Sequence, residues 1–580
     1  LCCHSSTDAT DAAVTPGTIT ANGDASATLK TDTSPDNDSF IDSPTNGTQT
    51  DTGVGGEVVG NYATLNPLDS SSAYTLSNGN LNYTHSTSGH QITSSTIAVN
   101  SGKWYVEVTP TALGGTYMQV GITPANTSNT TYTGDNGYGY RHDGNKQGLT
   151  SASSYGDSYA ANDVVGIAFD ADGGNLYFYK NGVAQNSGTA AFTSIDTSKH
   201  WRFSVSHLNS GAGLVNFGQR PFAYTAPSGY KALCTANLND PTIEDGSDYF
   251  DTTLYTGNGS TQTISGLDFS PDFVWSKARS AAYGHALFDS VRGVNKYLAS
   301  ESTGAESNLS PNGLTAFNSD GWTESAVGGY NVSGATYVAW AWDAGSSTVS
   351  NTDGSITSSV RANASAGFSI VSYTGTKANA TIGHGLGVAP EMIIVKCLDT
   401  ARNWVVGHQG IASDPWTDYL LLNSTASKAD LDTIWNDTAP TSTVFTVGSA
   451  NGINSQEAHV AYCFAPVEGY SAFGSYTGNG STDGPFVFTG MRPRWVLIKG
   501  SSFSGSHWML FDTERSGYNV ADNQLYANLS NAEATANSAV DFLSNGFKPR
   551  ADTFGNMNGS GGTYIYAAFA EHPFKTARAR

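Results

Sequence analysis

Basic residues are scarce: Lys and Arg total 27 against 49 Asp and Glu in 580 residues, a formal net charge of −22. Such a surface lacks the cations that release counterions from nucleic acid, and anionic lipid repels it. Nucleic acid is therefore excluded as a partner. No run of 18 apolar residues exists, so no helical span inserts into a membrane. Cysteine is nearly absent as well. Cys2, Cys3, Cys234, Cys397 and Cys463 have no metal-ligand spacing and are too few for a disulfide scaffold. Cys2–Cys3 beside His4 is read as an incidental pair. Leu, Glu, Lys and Arg are too sparse for long surface helices. The chain begins LCCHSSTDAT, with neither an initiator Met nor a signal pattern. Either processing removed the start or a longer polypeptide continues upstream.

What is present is Gly, at 65 residues, with abundant Ser, Thr, Asn and aromatics. This mixture suits short strands joined by polar turns. At this length one core is insufficient. The expected fold class is all-β: a multi-domain string of β-sandwiches with an extended N-terminal arm. Residues 1–58 hold one aromatic, Phe40, and cannot fold alone; they form the arm. Residues 59–237 alternate in period two, as in GKWYVEV (102–108) and YMQVGI (117–122). VVGIAFDADGGNLYFYKNG (164–182) reads as strand, tight turn, strand and Asn-Gly turn, and FSVSHLNSGAGLVNFG (203–218) as a hairpin.

Beyond Asp248 the chain repeats itself. YTGNGST occurs at 255–261 and 476–482, with a looser YTGTKAN from Tyr373. Lys277, Lys396 and Lys499 follow the three tyrosines after 22, 23 and 23 residues, each six residues after a proline: Pro271, Pro390 and Pro493. FDSVR (288–292) matches FDTER (511–515), FNSDGW (317–322) matches FLSNGF (542–547), and YVAWAW, HVAYCF and YIYAAFA end the copies. Three tandem β modules are expected at 248–346, 347–467 and 468–580, each with its own core. A Pro sets the start of each central strand, and Gly321 and Gly546 supply a positive φ in turns.

No sequence feature points to catalysis, and no cofactor or metal is expected. No nucleophile elbow, paired His ligand set or phosphate loop stands in the right context. IGHGLGVAP (382–390) precedes a strand, where phosphate binding needs a helix. DADGGN (170–175) has Gly174 and Asn181 where a calcium loop needs ligands, so it reads as a hairpin turn. Asp289/Arg292 and Asp512/Arg515 read as local ion pairs, since the second copy replaces them with NWVVGH (403–408).

GKWYVEV, YMQVGI, GYGYRHDG (137–144), AFDADGGNLYFYKNG and VNFGQRPF (215–222) together resemble a SPRY domain. The resemblance implies a bent sandwich whose loops bind protein or peptide, without catalysis. Tyr138, Tyr140, Arg141, His142 and Trp201 are the expected contact residues. GKWYVEV, GHGLGVAPEMIIVK (383–396), NDTAPTSTVFTVG (436–448), YTGNGSTDGPFVFTGMRPRWVLIK (476–499) and GGTYIYAAFAEHPFK (561–575) resemble structural proteins of marine tailed bacteriophages. That resemblance implies a virion location and a tail fibre, tailspike or head appendage. It also implies a homo-oligomer, usually a trimer, that meets other virion proteins through its arm and a host-surface glycan or protein. A virion-borne polysaccharide depolymerase and a capsid-decorating protein are the alternatives.

Overall fold

The computed structural model describes residues 61–577 apart from 115, 116, 150, 327, 328, 536, 537, 553 and 554. The expected arm, Cys2, Cys3 and His4 lie outside the described residues. Strand makes up 44% and helix 4%, so the all-β, multi-domain reading holds.

Two sheets form the first sandwich, antiparallel throughout except that Lys231–Ala232 pairs in parallel with Lys103–Ala112. One runs Tyr74–Ser77, Asn82–His85, Gly211–Asn216, Lys103–Ala112, Val165–Asp170, Asn175–Lys180 and Val183–Ala184. The other runs Gln91–Val99, Trp201–His207, Met118–Pro124, Tyr138–Arg141, Asn145–Gly148 and Ser151–Ser154. Trp104, Val106, Val120, Ile122, Ile167, Phe169, Phe203 and Val205 fill the space between them, the inward set that strand alternation dictates. DADGGN closes the 165–180 hairpin: Asp170 Oδ1 accepts from Gly173 N at 2.9 Å, and Gly174 has φ +64°. The hairpin expected at 203–218 needs correction. Trp201–His207 pairs with Gln91–Val99 and Met118–Pro124, whereas Gly211–Asn216 pairs with Asn82–His85 and Lys103–Ala112. The chain crosses between sheets there, and each strand gains two partners instead of one.

After residue 245 one strand order occurs three times. In the first large sheet it is Phe250–Thr256, Thr336–Trp342, Phe273–Ala278, Ala286–Asp289. The second contains Phe368–Thr374, Ala458–Phe464, Met392–Cys397, Val405–His408, and the third Ser471–Thr477, Thr563–Pro573, Met491–Gly500, Met509–Asp512. A smaller sheet accompanies each, such as Gln262–Ser265, Gly321–Glu324, Leu314–Asn318 in the first. The twice-spelled YTGNGST forms the same turn each time. Asn331 Oδ1 accepts from Asn258 N at 2.8 Å, Asn558 Oδ1 from Asn479 N at 2.9 Å, and Asn454 Oδ1 from Thr376 N at 2.7 Å.

Two local expectations change. Pro493 lies inside Met491–Gly500, at register shifts on either side of it, where a missing N–H removes no ladder bond. Gly546 has no positive φ. A Cβ on Gly546 would lie 2.0 Å from Val487 O, as one on Gly321 would lie 2.0 Å from Ile264 O. Close passage of a neighbouring strand requires both glycines.

The first and second units each keep a core of their own; the larger correction is that a further core is shared between units. One hydrophobic cluster runs from Ile243 to Ala570 and draws on all three large sheets. In Thr336–Trp342 the small Ala339 and Ala341 face the first unit's own sandwich, while Val338, Trp340 and Trp342 face the shared cluster. Ala461 and Cys463 against Val460, Tyr462 and Phe464 repeat the division in the second unit. Both faces of these strands are buried, so each sheet is covered twice. The centre is packed: a cavity of about 20 Å³ remains among Trp275, Trp342, Tyr462, Trp495 and Phe569.

Polar bonds close the ring. His285 Nε2 of the first unit donates to Tyr526 O of the third at 2.9 Å. Trp404 Nε1 of the second donates to Ala299 O of the first, and Trp508 Nε1 of the third to Leu421 O of the second, both at 2.9 Å. The three units thus contact one another cyclically, the closure that a threefold oligomer makes between chains.

Candidate functional site

On the first sandwich a ring-and-charge cluster surrounds Arg141. The Arg141 guanidinium lies 4.0 Å from the Tyr117 ring centroid, and its Nη2 is 2.8 Å from Asp143 Oδ2. His90 packs against Tyr117 at 5.3 Å and against Tyr132 at 4.7 Å. The strand Tyr138–Arg141 directs Arg141 toward this cluster, and the Arg, Tyr117, Tyr132 and His90 are all partly exposed. A cation held over a ring keeps one face of each for a partner.

Of the five expected contact residues, Arg141 joins this cluster. His142 is beside it, accepting weakly from Met118 N at 3.5 Å, and burial lowers its pKa. Tyr138 is half-buried against Phe192 and Trp201. Tyr140 and Trp201 are corrections. At 0% and 3% exposure they are core, Tyr140 bonded to Asp157 O and Trp201 Nε1 donating to Asp196 O at 2.8 Å. Tyr117, Tyr132 and His90 were missed because only the fold brings their loops to Arg141.

A second feature lies where the first sandwich meets the third unit. Ala98 and Ala125 pack on Phe486 and Phe488, Asn545 Nδ2 donates to Thr96 O at 2.7 Å, and Lys575 Nζ donates to Leu238 O at 2.7 Å. A cleft of about 590 Å³ beside this contact is lined by Asn126, His200, Glu391, Glu468, Phe473 and Tyr566, among others. Its size is that of ligand sites, which favour domain junctions. Burial pushes the Glu391 carboxyl up to about 7. His200, 3.6 Å away, holds Glu468 below the usual carboxylate range. No sequence signal joined these two carboxylates, which lie 77 positions apart.

The Asp/Arg pairs are structural. Asp289 and Arg292 are bonded with side chains 0% and 2% exposed, and Arg515 Nε lies 2.6 Å from Asp512 Oδ2 with both fully buried. Tyr462 of the second unit donates to Asp289 at 2.8 Å, and Trp340 of the first to Asp512 at 3.0 Å. Both pairs belong to the contacts between units, where a buried charge needs such partners. Among the described residues no group of three His, Cys, Asp or Glu side chains is placed to hold a metal, and no helix is long and apolar enough to cross a membrane.

Comparison with known proteins gives two family matches. Residues 103–220 match the SPRY domain. Among solved structures, the SPRY domain of human HERC1 shares 20% identity over 26% of this chain and 94% of its own, with a TM-score of 0.23. Stonustoxin shares 18% over 27% of each chain, also at 0.23, and a human SPRY domain shares 16% over 25% of this chain and 94% of its own, at 0.20. Residues 245–573, more than half the chain, match the family described as a domain of unknown function, DUF7483, and the chain belongs to that family.

Proposed function

We propose that this chain is a structural and binding component of a tailed-bacteriophage particle, a non-enzymatic appendage of the tail-fibre, tailspike or head-fibre kind. It presents a SPRY sandwich on three copies of one module. The observation that carries the reading is the closed ring of three sandwiches around one aromatic core, with the Arg141–Tyr117 cluster left partly exposed on the sandwich beside it. Sheets covered on both faces offer few openings to a protease, which suits a particle outside the cell. Threefold closure is met within one chain, so contacts between copies and with other virion proteins are assigned to the 1–58 arm and the outer surfaces. The bound partner is a host-surface glycan or protein.

Immunogold labelling of purified particles is expected to mark fibres at the tail or head; an even coat over the shell would instead support a decorating protein. Binding of the purified chain to host cells is expected to fall about tenfold in an Arg141→Ala, Tyr117→Ala double variant, the loss of one central contact pair. Unchanged binding would remove this face from the proposal.

A second reading, a virion-borne depolymerase, is favoured by one observation: the cleft holding Glu391 and Glu468. Two carboxylates with pKa values driven apart are what glycoside hydrolysis uses. Incubation with host capsule or lipopolysaccharide, followed by assay of new reducing ends, separates the two readings. Release that falls at least a hundredfold in Glu391→Gln, on the scale of general acid catalysis, would establish the enzyme; no release supports the appendage.

A further inference from the structure

The three units stack two rings at one shared position. Tyr255 lies on Tyr337 at 5.1 Å and 12°, Tyr476 on Tyr564 at 5.3 Å and 17°, and Tyr373 on His459 at 5.2 Å and 11°. Across the ladder from the second ring stand Ala278, Gly500 and Cys397 respectively. In the first and third units the phenol is fully engaged. Tyr337 Oη donates to Gly329 O and accepts from Val332 N, and Tyr564 Oη donates to Gly555 O and accepts from Gly559 N. The second unit alone puts an imidazole opposite a thiol.

Its surroundings suit a nucleophile. His459 Nδ1 is 2.8 Å from Glu457 O. A carbonyl only accepts, so Nδ1 carries the proton, and Nε2, with Ser455 Oγ 3.4 Å away, is left as the base. Cys397 Sγ lies 3.3 Å from Glu457 Oε2 and 3.6 Å from Thr400 Oγ1. That carboxylate oxygen also accepts from Ser455 Oγ at 2.5 Å and Thr400 Oγ1 at 3.1 Å. Glu457 therefore closes over the sulfur. Its side chain is 23% exposed, and the guanidinium of Arg402 lies 4.0 Å away with its side chain 36% exposed.

We propose that Cys397 is the attacking thiol of a thiol–disulfide exchange site, with His459 as its base, Glu457 as a movable cover, and a small aliphatic or aromatic disulfide as its substrate. When the Glu457 side chain swings toward solvent, His459 Nε2 takes the Sγ proton and the thiolate attacks one sulfur of the disulfide. A Cys397 mixed disulfide forms, the substrate S–S bond breaks, and the departing thiolate recovers the proton from His459. No further oxidant is needed, because the substrate disulfide accepts the electron pair.

The charges agree. Burial raises the Cys397 thiol, but the interactions with His459 and Thr400 outweigh it and hold the group at about 7. Cys463, buried in the same unit, is pushed well above the ordinary thiol range. The other titratable groups near the sulfur are Tyr373 beneath His459, Lys396, which donates to Cys397 O at 2.8 Å, Asp399, which caps Ala458 N, and Arg402. A thiol with pKa close to ambient pH is the fastest attacker.

The test uses the full chain carrying Cys2→Ser and Cys3→Ser, with 4,4′-dithiodipyridine as probe and thiopyridone absorbance as readout. One equivalent is expected to react in the folded protein and to vanish in Cys397→Ser, with a rate that rises through an apparent pKa near 7. His459→Tyr, the residue the other units carry, is expected to slow the reaction at least tenfold with an unchanged melting curve. Glu457→Ala is expected to speed it several-fold. Release no faster than global unfolding, or a rate and pH profile untouched by His459→Tyr, would overturn the proposal.

Discussion

Replacing Trp342 by alanine is expected to destabilise residues 245–573 as a whole, by about 3–5 kcal/mol, the usual cost of emptying a buried aromatic site. Trp342 is 1% exposed and touches rings of every unit. Its neighbours are Phe250 at 4.8 Å and Phe273 at 5.3 Å in the first, Phe368 at 6.3 Å and Phe464 at 6.4 Å in the second, and Phe569 at 5.7 Å and Trp495 at 5.8 Å in the third. A cavity there withdraws contacts from three sheets together. Among the described residues the indole N–H has no hydrogen-bond partner, so Trp342→Phe is expected to keep most of the stability. Urea unfolding followed by tryptophan fluorescence and far-UV circular dichroism checks both variants.

Acid is expected to weaken the same contacts. Burial, with the Lys277 charge adding to it, lowers His285 to about 3, and burial lowers His408 to about 4. Each ring already uses both nitrogens. Trp275 Nε1 donates to His285 Nδ1 at 2.8 Å and Gly410 N to His408 Nδ1 at 2.9 Å, while each Nε2 donates to a carbonyl of the third unit. Protonation must break an accepted bond. Because both folded values lie below the unfolded value near 6.5, the unfolded chain binds more protons in acid. The stability is complete above pH 6.5 and is lost as pH falls toward 4 and then 3. At pH 5 the loss is about 2 kcal/mol for each ring, from 1.36 kcal/mol per pH unit. Glu324 and Glu391, both raised to about 7, oppose this trend by binding protons in the folded state. The clean readout is therefore a difference: a His285→Gln, His408→Gln double variant is expected to gain about 4 kcal/mol relative to wild type between pH 7 and pH 5.

The strands were legible in the sequence, and their second faces were not. YVAWAW announces a strand, and its alternation of alanine with tryptophan also carries the division between two cores. A strand without a polar face must be covered on both sides, and that rule, applied to YVAWAW and HVAYCF, points to a partner beyond each unit's own sandwich. The identity of the partner is a matter of tertiary contact: Tyr462 reaches Asp289, and Trp340 reaches Asp512, from more than 170 positions away. In the first sandwich, GYGYRHDG looks like a loop rich in exposed rings. It forms a strand that turns Tyr140 inward and leaves Arg141 at the edge. Cys397 and His459 escaped notice because 62 residues separate them and only ladder register sets them face to face.

The central claim is that three sheets share one core and open together. Native-state hydrogen exchange of Trp342→Ala, read by mass spectrometry on peptides covering 273–278, 392–397 and 491–500, tests it most directly. Shared packing predicts that protection falls by the same free energy in all three strands. Loss confined to 273–278, with 392–397 and 491–500 as protected as in wild type, would contradict it.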